Sequence, residues 1–249
     1  MSSLSLHASS VSLGYDGTAV VSDLDLSVEA GEIVVVVGAS GCGKSTLLRA
    51  FAGLLSPIGG SLLADDAPVT GPSNERALVF QDDALLPWRS VRGNVELPLA
   101  VRGVGRNARR QVAETWLARV GLASHAQRLP RELSGGMRQR VQLARALAGA
   151  PGAVLMDEPF GALDAQSRTA MQRLLVETWR TSPTTVVFVT HDVDEALRLG
   201  DRVVVLGSDG VVFELTVAAP RKADGVVDKL EREQLLHALG ASQREKWVA

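Results

Sequence analysis

Only one cysteine, Cys42, occurs in the 249 residues, which excludes an internal disulfide framework. Charge of neither sign is in excess: 26 Lys and Arg against 28 Asp and Glu leave a net charge of −2. That balance gives no global attraction to nucleic acid or to an anionic lipid surface. No stretch approaches the roughly 18 consecutive apolar residues that a membrane-crossing helix needs. The opening Met1-Ser2-Ser3-Leu4-Ser5 has neither the basic nor the apolar part of a secretory signal. The expectation is a soluble, cytoplasmic protein that meets a membrane only through a partner. Internal repeats and low-complexity blocks are absent, and the length suffices for one large α/β domain or two small ones.

The strongest positive signal is Gly38-Ala39-Ser40-Gly41-Cys42-Gly43-Lys44-Ser45, directly after the apolar run Ile33–Val37. The spacing G-x-x-x-x-G-K-S is that of a phosphate-binding loop. Its glycines let successive backbone N–H groups turn inward around an anion. Lys44 supplies charge for the β/γ oxygens, and Ser45 supplies a hydroxyl for Mg²⁺. A helix starting with Thr46, Leu47 and Leu48 directs its positive dipole end at the same anion. Cys42 reads as an ordinary small loop residue rather than a redox or metal group. Strand, loop, lysine and hydroxyl in this order predict binding of a nucleoside triphosphate.

Apolar runs at Ile33–Val37, Ala77–Phe80, Ala153–Met156, Thr185–Val189 and Arg202–Leu206 fit buried strands. Helical patterns lie between them, which predicts an α/β fold with a mainly parallel sheet covered on both faces. The segments around Val11–Val28 and Val211–Val217 read as antiparallel edge strands. Between Phe80 and Pro151 the pattern turns helical: Arg109–Leu122 sets Val112, Trp116, Leu117 and Val120 on one face, and Met137–Leu147 keeps Val141, Ala144 and Leu147 in step. A helical subdomain of about residues 82–150, inserted into the sheet domain, is expected. The charged tail 221–249, with Leu230, Leu235, Leu236 and Leu239, predicts a docked terminal helix.

The strand Ala153–Met156 runs into Asp157-Glu158. In parallel α/β sheets ligands sit at the carboxyl ends of strands. Asp157 is therefore placed to hold Mg²⁺, directly or through water, and Glu158 to accept a proton from the attacking water or orient it. Two acids ending a strand more simply face solvent; their order after a phosphate loop favours the metal and the base. His191, in Val189-Thr190-His191-Asp192, follows another core strand, where its imidazole can contact the γ-phosphate or brace the water. His7, His125 and His237 have no such placement and read as structural. Leu133-Ser134-Gly135-Gly136-Met137 opens a helix with Ser134 as N-cap, and its two glycines offer a second anion-binding surface.

Together these segments resemble the ATP-binding cassette subunits of ABC transporters, over about the first 215 residues and in the expected order. The resemblance implies a P-loop NTPase (RecA-like) cassette in residues 1–220, with a mainly parallel sheet, an N-terminal antiparallel β subdomain and the inserted helical subdomain. The phosphate loop resembles Walker A, Asp157 with Glu158 resembles Walker B, and Ser134-Gly135-Gly136 resembles the signature. Gln81 fits the Q-loop, which would sense Mg²⁺ and the γ-phosphate; Gly161-Ala162-Leu163-Asp164 fits the D-loop, and His191 the switch histidine. Tyr15, the only tyrosine, lies where the family places an aromatic residue for adenine stacking. Met137 stands where the family often has glutamine, and activity is expected to survive because the serine and glycines remain.

The same resemblance implies two cassettes closed head-to-tail over two ATP molecules, Ser134 of one over the γ-phosphate held by Lys44 of the other. Transmembrane permease subunits, and through them a solute-binding protein, are the implied partners, with no nucleic acid and a peripheral place on the cytoplasmic face. A narrower likeness, in Gly71-Pro72-Ser73-Asn74-Glu75-Arg76, Val79-Phe80-Gln81-Asp82, Leu85-Leu86-Pro87-Trp88 and Phe160–Asp164, is to the importer ATPases for taurine, alkanesulfonates and nitrate. Trp88 reads equally as packing or as part of the groove that receives a membrane subunit. The rivals are a cassette acting on DNA or the ribosome, an exporter ATPase and a GTPase switch. One phosphate loop, one cysteine, no extended heptad run and no Asn-Lys-x-Asp motif weigh against all but the exporter.

Overall fold

A computed structural model describes residues 3–82, 84–221 and 226–245, the side chains of 242–245 excepted. The chain begins with β1 (Leu6–Tyr15) and β2 (Thr18–Val28), then β3 (Ile33–Gly38), α1 (Lys44–Phe51), β4 (Gly59–Ala64), β5 (Ala67–Pro68) and β6 (Arg76–Val79). A helical stretch follows: α2 (Val91–Val95), α3 (Leu97–Val101), α4 (Arg106–Arg119) and α5 (Gly135–Ala148). The chain then alternates through β7 (Ala153–Asp157), α6 (Ala165–Thr181), β8 (Thr185–Val189), α7 (Val193–Leu199), β9 (Arg202–Gly207) and β10 (Gly210–Thr216), and ends in α8 (Lys229–Glu245). No described helix is long and apolar enough to cross a membrane.

The main sheet has six strands in the order β10-β9-β3-β8-β7-β6, parallel except for β10 on its edge. The unbroken apolar run Ile33–Val37 forms a strand because both faces are covered. Ile33, Val35 and Val37 join the core beneath α5, α6 and α7, while Val34 and Val36 join a second core with Leu47, Leu48 and Phe51 of α1. All five sequence runs are strands of this sheet, and the α/β cassette architecture is as expected.

Val11–Val28 does not edge the main sheet, which corrects that reading, but it does belong to the N-terminal antiparallel β subdomain that the resemblance implied. Those residues form β1 and β2 of a separate four-stranded antiparallel sheet, in the order β2-β1-β4-β5. The two-residue link Asp16-Gly17 between the paired Tyr15 and Thr18 is the kind that closes a tight hairpin. Leu13, Val21, Leu24 and Leu26 then pack the new sheet onto the α1 side of the main one. Val211–Val217 is an antiparallel edge strand as read, β10 pairing with β9. The helical readings hold with shifted ends: α4 starts three residues early, at Arg106, and leaves Val120 just past its C-terminus.

Of the tail, residues 222–225 and 246–249 lie outside the described residues, as do Met1 and Ser2 of the N-terminal reading. In α8, Leu235 is fully buried and Leu239 packs against the main core, whereas Leu230 and Leu236 face outward.

Candidate functional site

Strands β3, β8 and β7 are neighbours and run in the same direction, with Val36 opposite Val189 and Val189 opposite Asp157. Their carboxyl ends therefore release three loops at one edge of the sheet: Gly38–Lys44, Thr190–Asp192 and Glu158–Asp164. Residues far apart in sequence meet there because parallel strands must all be entered from the same side.

The Gly38–Ser45 loop closes against the antiparallel sheet. Gly43 caps α1 at φ 99°, and a Cβ there would lie 2.0 Å from Cγ2 of Val21, so no larger residue fits. The Lys44 side chain is buried and bent back over the loop, its Nζ donating to the carbonyls of Gly38 (2.9 Å) and Ala39 (3.0 Å). An anion at this mouth would offer charged acceptors in place of neutral carbonyls, a gain of roughly twofold in strength per bond. Tyr15, 44% exposed at the tip of the adjoining hairpin, accepts a hydrogen bond from Nη1 of Arg49 (3.1 Å) on α1. That bond ties the ring to the helix that starts at Lys44.

Burial pushes the Asp157 carboxyl above the usual carboxylate range, partly offset by a hydrogen bond from the Ser45 hydroxyl. The negative charge of Glu158 adds to the upward push, and Arg49 and Lys44 oppose it. Asp157 and Ser45 thus form a pair of hard oxygen donors. Among the described residues no cluster of three or more His, Cys, Asp or Glu exists. Two protein oxygens, completed by phosphate and water, suit Mg²⁺ better than an all-protein cage would.

Glu158 sits in the left-handed region, at φ 44°, a rare conformation for a non-glycine residue that is retained where surroundings dictate it. Its N–H is held by Val189 O (3.0 Å), and the bend turns its carboxylate to Nδ1 of His191, 3.3 Å away. The structure so brings together Lys44, Ser45, Asp157, Glu158 and His191 along one edge.

Ser134 is the N-cap of α5, its hydroxyl accepting from Met137 N–H (3.3 Å). Gly136 packs on the loop after β7: a Cβ there would stand 3.2 Å from Leu163 Cδ2 and 3.3 Å from Ala162 O, with no atom of Gly38–Ser45 within 4 Å. Within one chain, then, the second anion surface does not meet the first at Gly136. Asp164 caps α6 by accepting from Ser167 N–H (2.9 Å), and that bond holds its carboxyl below the ordinary range. Gln81 is exposed just beyond β6, and Trp88 is 74% exposed, which removes the packing reading for it.

Several residues around the site carried no sequence signal. Arg168 donates to the carbonyls of Phe160 (3.4 Å) and Leu163 (3.2 Å), bracing the loop that ends at Asp164. Glu195, buried on α7, accepts from Gln172 Nε2 (2.8 Å) and from the Thr190 hydroxyl, and burial keeps its carboxyl above the usual range. It shares a cavity of about 70 Å³ with Glu158, Arg168 and His191. Gln142 binds the backbone on both sides of Gln81. Gln142, and Glu195 through Gln172, face partners distant in sequence, and no local pattern announces such a pair; Arg168 bonds carbonyls five and eight residues back in the adjoining loop.

The sequence profile of the family described as "ABC transporter" matches residues 21–161. The chain is 50% identical over 203 residues to the taurine import ATP-binding protein TauB of Chromobacterium violaceum, covering 81% of this chain and 78% of that one. It is 46% identical over 214 residues to the protein of the same name from Yersinia pestis, covering 85% and 84%. Among solved structures it is similar to the ATP-binding cassette MJ0796, seen as a dimer in a post-hydrolysis state with ADP and Pi. That likeness has a TM-score of 0.79 and 31% identity, over 86% of this chain and 99% of the other.

Proposed function

Because the chain belongs to the ABC transporter family, we propose that it is the ATP-hydrolysing subunit of a bacterial importer for taurine or a related small anion such as an alkanesulfonate or nitrate. The observation that carries the reading is the convergence of the Lys44 loop, the Ser45–Asp157 pair and the Glu158–His191 pair on three adjacent strand ends. The choice of solute rests on the relatives named for taurine import and on the Gly71–Arg76 and Leu85–Trp88 segments.

In this reading residues Gly38–Thr46 and Tyr15 hold ATP, the N–H groups of the loop and the Lys44 ammonium taking the phosphates. Ser45 and Asp157, with Gln81, would hold a magnesium ion, which supplies neutralisation of charge on the phosphates. Glu158 accepts the proton of the attacking water at its carboxylate, and His191, within hydrogen-bond reach of that carboxylate, fixes its direction. Ser134, Gly135, Gly136 and Asp164 face a second copy of the chain, whose nucleotide they cover. Closure is a population shift, driven because the triphosphate interacts with more groups in the paired state than in the open one. The exposed Trp88, with Leu86 and Pro87, is the surface offered to the permease on the cytoplasmic side of the membrane.

The test is reconstitution in lipid vesicles with the permease and solute-binding protein of a taurine importer. Taurine outside should raise ATP turnover and accumulate within. Recovery of ribosomes or DNA, rather than an integral membrane protein, as the bound partner would favour the rival cassette class.

A smaller effect is expected at the hairpin tip. Tyr15→Ala should weaken ATP binding by about 1–3 kcal/mol, the range for a lost base stack. Tyr15→Phe, which loses only the bond from Arg49, should stay close to wild type when both are titrated with ATP.

A further inference from the structure

We propose that Gln142 is a positioning residue that couples the Gln81 segment to the helix opening at Ser134, so that the two nucleotide-facing elements move as one. The inference rests on the reading of function given above. Gln142 lies midway along α5 with no solvent exposure, between the buried Val141 and Leu143. A primary amide in such a place is destabilising unless its donors and acceptor are all used.

They are used, and all on one target. The Phe80 N–H donates to Oε1 of Gln142 (3.2 Å), and Nε2 donates to the carbonyls of Phe80 (2.8 Å) and Asp82 (3.3 Å). The pattern fixes the amide's orientation, since the reverse would set two donors against the Phe80 N–H. One turn further on, Arg145 donates from Nη1 to Ala84 O (2.9 Å). Positions three apart lie on one helix face, so a single face of α5 grips the chain on both sides of Gln81.

The grip replaces a missing partner. β6 is the last strand of its sheet and its pairing with β7 ends at Val79, so on its outer side the backbone beyond it has no neighbouring strand on which to satisfy itself. Gln81 itself remains exposed between two held residues. From Gly135 to Gln142 the helix rises about 10 Å at 1.5 Å per residue. A shift of its N-terminus is therefore delivered to Phe80 and Asp82 without slack. Ser134-Gly135-Gly136 serves the partner's nucleotide and Gln81 serves this chain's own, so Gln142 links the two sites.

The experiment compares wild type with Gln142→Met, nearly equal in volume but without the bonds. ATP affinity without metal should stay within about twofold, while the Mg²⁺ needed for half-maximal turnover rises about tenfold in Gln142→Met, the scale expected for losing one to two net hydrogen bonds. Unchanged Mg²⁺ dependence, or an equal loss of metal-free binding, overturns the proposal, the latter because it marks a purely structural role. In a Glu158→Gln background, ATP-driven pairing separates the two claims. A parent that pairs, with a Gln142→Met double variant pairing as tightly, removes only the Gln142 link. A parent that stays single overturns the functional reading and this inference with it. Should Gln142→Met not fold, amide exchange in the wild-type chain decides: Phe80 and the middle of α5 should slow by the same factor on adding Mg²⁺ and ATP, and Phe80 responding alone overturns the coupling.

Discussion

Glu158→Gln should keep ATP binding, pair stably with a second copy and lose nearly all turnover. The substitution keeps size and the capacity to accept a hydrogen bond but removes the basic oxygen. Loss of a positioned general base costs typically 10²–10⁴-fold in rate. The effect on pairing has the opposite sign. Two carboxylates stand side by side at the end of β7, and the charge of Glu158 already works against ionisation of Asp157. Replacing it with a neutral amide lowers the negative potential facing a triphosphate, so the nucleotide-bound, closed form gains. Phosphate release from labelled ATP and the elution volume with ATP measure the two halves. Turnover near the wild-type rate would take Glu158 out of the chemistry, and His191 would then be left without its carboxylate partner as a rationale.

How far the sequence could be read depended on the range of the interactions involved. The Lys44 loop is legible because its chemistry is contiguous: the glycines, the ammonium and the hydroxyl lie within eight residues and their roles depend on backbone shape alone. The strand under it is legible for a similar reason, as five apolar residues in a row are tolerated only where both faces are covered. β4 and β5 escaped notice because Gly59-Gly60-Ser61 and the two-residue Ala67–Pro68 have no period to detect. β4 is a strand because β1 presents it with an edge, and β5 because β4 does the same, a tertiary cause in both cases. Gln142 and Glu195 were illegible in a stronger sense. A buried amide or carboxylate on a helix looks like any polar residue until its partner is known, and Gln142's partners lie 60 and 62 residues away. Trp88 shows the converse limit, since hydrophobicity alone cannot tell a core residue from a surface one, and only its exposure removed the packing reading.

Lys44→Ala should weaken ATP binding itself, by roughly ten- to a hundredfold if the ammonium makes one charge-assisted contact worth about 1.5–3 kcal/mol. The starting state sharpens the expectation. In the structure Lys44 is not waiting in solvent: it is buried and already bonded to Gly38 O and Ala39 O. Desolvation of the charge has therefore been met on folding and is not charged against the ligand, so a phosphate arriving at the mouth gains nearly the whole difference between a neutral and an anionic acceptor. The fold should tolerate the loss. Gly38 and Ala39 border solvent, so water can take their carbonyls, and removing a buried ammonium relieves a desolvation cost of its own. Titration of ATP and a thermal melt without nucleotide read the two effects separately. A melt unchanged within a few degrees, together with lost affinity, assigns Lys44 to the ligand. Unaltered affinity would mean that the loop's N–H groups carry the phosphates alone, and that Lys44 serves only to close Gly38 and Ala39 onto the helix behind them.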